Sequence, residues 1–116
     1  MSDFPITSTS QYINLDAIKS ACQMIKDAAN DYKNSAKEID AAIGCLGKNA
    51  LSIDGETYEK LLTELKETFE SSQTQLESLA DQILAEATTI LENQKIAYQN
   101  YLNYLEYLKE QEAKNG

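Results

Sequence analysis

The feature that most constrains the fold is a stripe of uncharged residues that repeats every seven positions along residues 15–46. Charged residues of this segment occupy only the other heptad positions. The larger side chains of the stripe are Ile18, Ile25, Tyr32, Ile39 and Leu46. Two series of mainly small residues, which include Ala28 and Ala29, complete it. Because a helix with one apolar face must bury that face against another element, the spacing predicts an amphipathic helix.

Local signals place this first helix at residues 14–46. The side chain of Asn14 can accept a hydrogen bond from an exposed amide of the first turn, so it is the predicted cap. Gly44 and Gly47 lie where the pattern ends, and Gly47 suits the left-handed conformation that follows many helices. Residues 1–13 show no helical period, so we expect a loose N-terminal arm.

A second apolar pattern predicts a helix over residues 55–112, because no proline or glycine interrupts the chain between Gly55 and Gly116. Asp54 is the predicted cap, and residues 47–54 form a turn short enough to join antiparallel neighbours. A chain of 116 residues has the usual length of one domain. The predicted fold class is therefore all-α: a single-domain antiparallel two-helix hairpin with a long second helix.

The two predicted helices differ in length, at about 50 Å and about 87 Å for a rise of ~1.5 Å per residue. We therefore expect the second helix to project beyond the first from about residue 94. The projecting part is rich in tyrosine and is predicted to be either an uncovered docking surface for a partner or packing within a longer bundle. Its candidate residues are Tyr98, Tyr101, Leu102, Tyr104, Leu105, Tyr107 and Leu108.

A hairpin of two helices covers only one side of each apolar stripe, so a protein partner is expected. The simplest symmetric solution is a dimer that closes a four-helix bundle, and a heterodimer with another helical hairpin is the alternative. The predicted hairpin and dimer interface consists of Ile18, Ile25, Tyr32, Ile39, Leu46, Leu62, Leu65, Phe69, Leu76, Leu79 and Ile83.

The charge balance and the absence of histidine indicate which functions not to expect. A formal charge of −9 disfavours nucleic acid and anionic membrane surfaces as partners. No apolar run is long enough to span a membrane, and the first ten residues lack the pattern of a signal peptide. Without histidine, the usual general base and most transition-metal sites are missing. We therefore expect no enzyme activity, no metal and no cofactor.

Two cysteines, Cys22 and Cys45, lie 23 positions apart on the predicted first helix. That spacing corresponds to about 35 Å, whereas a disulfide needs Cα atoms within about 7 Å of each other. The prediction is two free thiols, and a bridge to another molecule remains open.

The layout of two helices around a mid-chain turn in a small acidic chain resembles the WXG (Esx-like) proteins of bacterial type VII secretion. The resemblance covers roughly Ile13 to Leu91. In that family a Trp-x-Gly motif stands at the turn, where this chain has Ile53, Asp54 and Gly55. Gly55 matches the motif, and Ile53 replaces the tryptophan. The family also has a Tyr-x-x-x-Asp/Glu export motif after the second helix. The C-terminal part of this chain has no such motif, and the nearest spacing there is Leu102 to Glu106.

The resemblance implies a protein that is cytoplasmic before export and is secreted without a signal peptide. Related helical partners of LXG toxins are similar in fold and bind the toxin before export, which implies an LXG-type toxin or the secretion ATPase as further partners. Two functions remain open: a type VII secretion substrate or targeting partner, and a structural coiled-coil or assembly adaptor unrelated to secretion.

Overall fold

The computed structural model describes residues 4–49 and 55–115, and almost all of this part is helical. A short 3-10 helix at Thr9–Gln11 precedes two α-helices, α1 at Leu15–Asn49 and α2 at Gly55–Asn115. No strand occurs within these residues. The predicted all-α fold with two helices is confirmed, and α2 is the longer helix.

The ends of α1 agree with the sequence signals at one end and differ at the other. At the N-terminus, the Asn14 side-chain oxygen accepts a hydrogen bond of 3.0 Å from the Ala17 amide, as a cap does. At the C-terminus, the prediction that Gly47 ends the helix is wrong, because α1 continues through it to Asn49. A glycine inside a helix costs only about 1 kcal/mol, which continued helical hydrogen bonding can offset. The predicted Asp54 cap and Ile53 lie outside the described residues.

Five threonines of α2 bond to their own helix. Each side-chain hydroxyl donates to the backbone carbonyl four residues earlier, at 2.8–3.1 Å. These residues are Thr63, Thr68, Thr74, Thr88 and Thr89. The hydroxyls are therefore satisfied locally.

The chain divides into two compact units, of which one is residues 20–83. Within this unit, Lys26 of α1 pairs with Asp81 of α2, and Asp40 pairs with Lys66. The residue nearer the C-terminus of α1 thus pairs with the residue nearer the N-terminus of α2. The two helices of this unit run antiparallel, as the hairpin prediction requires.

Small side chains form the core of this unit. Its buried residues are Cys22, Ala29 and Ala36 on α1 and Ala80 on α2. The three positions on α1 are seven residues apart and mark one line along the helix. The centre of the contact is therefore a small-residue series, and the larger series that contains Ile25 and Ile39 lies half-buried beside it. Small residues allow two helix backbones to approach closely.

The other unit comprises residues 1–19 and 84–116, and its buried residues are Ile6 and Ala87. Residues 4–13, which we call the N-terminal segment, lie along the last part of α2. The Phe4 ring packs on Tyr101 and Tyr104, and the Tyr12 ring packs on Tyr98. The structure thus corrects the expectation of a loose arm and an uncovered projection: aromatic contacts hold the segment on α2.

The N-terminal segment is also ordered by its own side chains. The Gln11 side-chain oxygen accepts hydrogen bonds from the Thr7 and Ser8 amides, at 2.7 Å and 3.0 Å. The Ser8 hydroxyl accepts a bond of 3.2 Å from the Ser10 amide. Together these bonds form a capping box around the 3-10 helix. This local order lowers the entropy that packing on α2 has to overcome.

Candidate partner-binding surfaces

One side of the helix pair in residues 20–83 is apolar, and we call it the apolar flank. Tyr32 and Phe69 mark it, because their ring centroids are 5.6 Å apart across the two helices. A helix advances about 100° per residue, so positions 25, 32 and 39 lie on one side of α1, next to the line of buried small residues. The apolar flank consists of Ile25, Tyr32, Ile39, Leu62, Phe69, Leu76 and Ile83, with Leu65 and Leu79 at its outer edge.

The opposite side of the same helix pair carries charge, and we call it the charged flank. It contains the two ion pairs, Lys26 with Asp81 and Asp40 with Lys66, both with N–O distances of 3.1 Å. A hydrogen bond and the charge of Asp40 raise the pKa of the Lys66 ammonium above its ordinary value. Because three of these side chains are exposed and that of Lys66 is only half-buried, such pairs contribute little to stability. These ion pairs show that the charged flank is hydrated, whereas the other flank is apolar.

The apolar flank leaves much of its surface open. Leu65 and Leu79 are 44% and 46% exposed, and Tyr32 is exposed as well. The other predicted interface residues are half-buried: Ile18, Ile25, Ile39, Leu46, Leu62, Phe69, Leu76 and Ile83. No large side chain among the described residues is fully buried. The structure therefore places most of the predicted interface residues of this unit on a single side that the helix pair itself covers only in part.

The second surface lies on the last part of α2, and we call it the aromatic face. It consists of Tyr98, Tyr101 and Tyr104, together with Gln94. The Phe4 ring centroid lies 5.6 Å from that of Tyr101 and 5.1 Å from that of Tyr104. Such separations are typical of favourable aromatic pairs. The Tyr12 ring meets Tyr98 edge-on at 6.2 Å.

Gln94 holds the backbone of the N-terminal segment. Its side-chain oxygen accepts a bond of 2.7 Å from the Ile13 amide, and its side-chain nitrogen donates to the Gln11 carbonyl at 3.4 Å. One side-chain amide therefore pairs with both a donor and an acceptor of the main chain. This contact fixes the segment just before α1 begins.

The predicted docking surface is thus partly occupied by the chain itself. Tyr98, Tyr101, Leu102 and Leu105 are half-buried, whereas Tyr104, Tyr107 and Leu108 remain exposed. Sequence reasoning missed Phe4, Ile6, Tyr12 and Gln94 as part of this surface. The available signal was the presence of four large apolar or aromatic residues in this segment, which is unusual for a solvated arm: Phe4, Ile6, Tyr12 and Ile13.

The remaining candidate chemistry is limited in the described residues. Cys22 is buried and Cys45 exposed, and both are free thiols, as predicted. No group of three or more cysteine or carboxylate side chains is arranged to hold a metal ion in this part of the chain. None of the helices described is long and apolar enough to cross a bilayer.

Comparison with known proteins finds no family model, no curated protein and no solved structure that this chain matches.

Proposed function

We propose that this chain is a protein-binding helical hairpin that dimerises through the apolar flank and serves type VII secretion as a WXG-like substrate or targeting partner. The observation that carries the binding role is the separation of an apolar flank from a charged flank on one helix pair. A partner that covers the apolar flank buries leucine and aromatic side chains without removing water from the ion pairs.

The exposed side chains of the apolar flank support a partner. Leu65 and Leu79 are 44% and 46% exposed, and Tyr32 is 36% exposed. Large apolar side chains exposed together on one side of a helix pair mark a protein interaction surface. A second copy provides the same apolar flank and needs no further component.

The secretion role rests on the resemblance described above and on the partner-dependent surface. Small helical hairpins that travel or act in pairs need an apolar side that a partner covers. The alternative, a structural adaptor unrelated to secretion, uses the same flank for permanent assembly. The two functions differ in where the protein accumulates, not in how the helices bind.

The binding proposal is tested by replacing Leu65 and Leu79 with glutamate in one variant. Each leucine has about half of its burial still to gain, worth about 1 kcal/mol, and a two-fold dimer contains four such sites. The expected loss of about 4 kcal/mol weakens dimerisation roughly 1000-fold, and burying the new carboxylates weakens it further. Sedimentation equilibrium measures the dissociation constant.

The matched control places glutamate at Thr74 and Ser78, which are exposed on the same helix and point away from the apolar flank. This variant adds the same charge and is expected to dimerise like the unmodified chain. A chain that sediments as a 12.9 kDa monomer, or a control that dissociates as readily as the leucine variant, contradicts the binding proposal.

The secretion proposal is tested separately, by expressing the chain in a bacterium with an active type VII system. We expect the protein in the culture medium, and we expect it to stay in the cells when the secretion ATPase is deleted. A cytoplasmic marker protein controls for lysis. Retention in the cells of both strains excludes a secreted substrate and leaves a targeting partner or the adaptor.

A further inference from the structure

The aromatic face recognises two kinds of feature in the segment that covers it. Tyr101 and Tyr104 contact an aromatic ring, that of Phe4. The Gln94 side chain hydrogen-bonds to main-chain atoms, the Ile13 amide and the Gln11 carbonyl. Main-chain contacts do not depend on the side chains of the bound segment. A segment of different sequence can make the same contacts if it places an aromatic ring and a free amide–carbonyl pair at similar positions.

The N-terminal segment is held in a way that permits release. The hydrogen bonds within it join exposed groups, at Thr7, Ser8, Ser10 and Gln11. Phe4 and Tyr12 are half-buried, and Ile6 is the buried residue of the segment. Segments with few buried apolar side chains and exposed hydrogen bonds open at low free-energy cost.

Surface beside the bound segment remains open for a longer ligand. Tyr104 and Tyr107 are 43% and 54% exposed, and Leu108 is exposed too, although Phe4 packs directly on Tyr104. A segment that extends past the Phe4 position toward the end of α2 gains apolar contact that the chain's own segment does not make. That gain favours a foreign segment over the tethered one, which otherwise benefits from its high local concentration.

We propose that the aromatic face of α2 binds an extended, aromatic-bearing segment of a partner protein, and that the chain's own N-terminal segment is its internal competitor. The partner segment replaces Phe4 between Tyr101 and Tyr104 and takes over the main-chain bonds to Gln94. This binding does not require the apolar flank or dimerisation through it, so the two proposals stand or fall separately.

The test uses full-length chains and a fluorescent, N-acetylated synthetic peptide with the sequence of residues 4–14. In a Phe4→Ala/Tyr12→Ala variant the internal competitor is weakened and the aromatic face is unchanged. If the internal segment occupies the face about nine-tenths of the time in the unmodified chain, the peptide binds the variant about tenfold more tightly. Fluorescence anisotropy gives both dissociation constants, and circular dichroism confirms that the helices are retained.

Further substitutions in the same variant locate the binding site. Adding Tyr101→Ala and Tyr104→Ala is expected to abolish peptide binding, whereas adding Tyr107→Ala, an exposed tyrosine of the same helix, leaves it unchanged. Replacing the phenylalanine of the peptide with alanine is expected to weaken binding at least tenfold.

Equal affinity for the unmodified chain and the variant overturns the proposal, as does binding that is insensitive to Tyr101 and Tyr104. Dissociation of a dimer into monomers on addition of the peptide also overturns it, because the natural occupant is then the N-terminal segment of a second copy.

Discussion

Replacing Ala80 with leucine tests whether α1 and α2 approach closely through small side chains in residues 20–83. Ala80 is 0% exposed, as is Ala29 on the facing helix, so water does not reach either methyl group. Leucine adds three carbon atoms at a position that is already in contact on all sides. Because alanine and leucine have similar helix propensities, the change alters packing and little else.

The expected effect follows from these packing facts. Inserting extra carbon atoms into a filled contact costs about 1–3 kcal/mol, because side chains and backbone must shift. We take about 2 kcal/mol for Ala80→Leu. For a chain of 116 residues, an unfolding entropy of about 2.1 cal/mol/K per residue converts this into a melting temperature about 8 °C lower.

The assay is thermal unfolding followed by circular dichroism, with all variants at one protomer concentration because dimerisation shifts the midpoint. The control is Ala85→Leu, which makes the same substitution at an exposed position of α2. We expect its midpoint to lie within about 2 °C of the unmodified chain. If Ala80→Leu unfolds at the same temperature as Ala85→Leu or above it, the close approach through alanine is refuted.

Two further predictions follow from single positions on α1. Gly44 lies inside α1, and no atom lies within 4 Å of the position that an added Cβ would take. Gly44→Ala is therefore expected to raise the free energy of unfolding by about 0.5–1 kcal/mol, as measured by urea unfolding. A loss of stability contradicts the helical assignment at this position. Cys22 is buried and Cys45 is exposed. Iodoacetamide is therefore expected to modify Cys45 at least tenfold faster than Cys22 in the folded chain, as measured by peptide mass spectrometry. Equal rates contradict the packing of Cys22.

The sequence was sufficient for the helices and insufficient for the centre of their contact. The uncharged heptad positions predict that α1 is amphipathic, and the Asn14 cap predicts where it begins. Charge alone does not distinguish the large series of Ile25 and Ile39 from the small series of Cys22 and Ala29, because neither series is charged. Which series lies at the centre depends on how closely the backbones approach, and this is a property of both helices together.

The aromatic face shows a different limit of sequence reasoning. Phe4 and Tyr12 contact residues about ninety positions away, and no local period encodes such a pairing. The sequence predicts that Tyr98 and Tyr101 belong to a docking surface, and the structure shows that the N-terminal segment of the chain itself packs on them. Gln94 could not be identified at all, because a glutamine that holds a backbone looks like any polar residue on a helix surface.

The threonines of α2 have a consequence for the energy of any docking event on this helix. A hydroxyl that donates to its own helix has less need of water, and the methyl group beside it is what an approaching surface can touch. The cost of removing water from Thr63, Thr74 and Thr88 is therefore lower than is usual for threonine. A partner can therefore bind α2 at a lower desolvation cost than the hydropathy of the helix implies. Most of that cost comes from the glutamates and lysines of the helix.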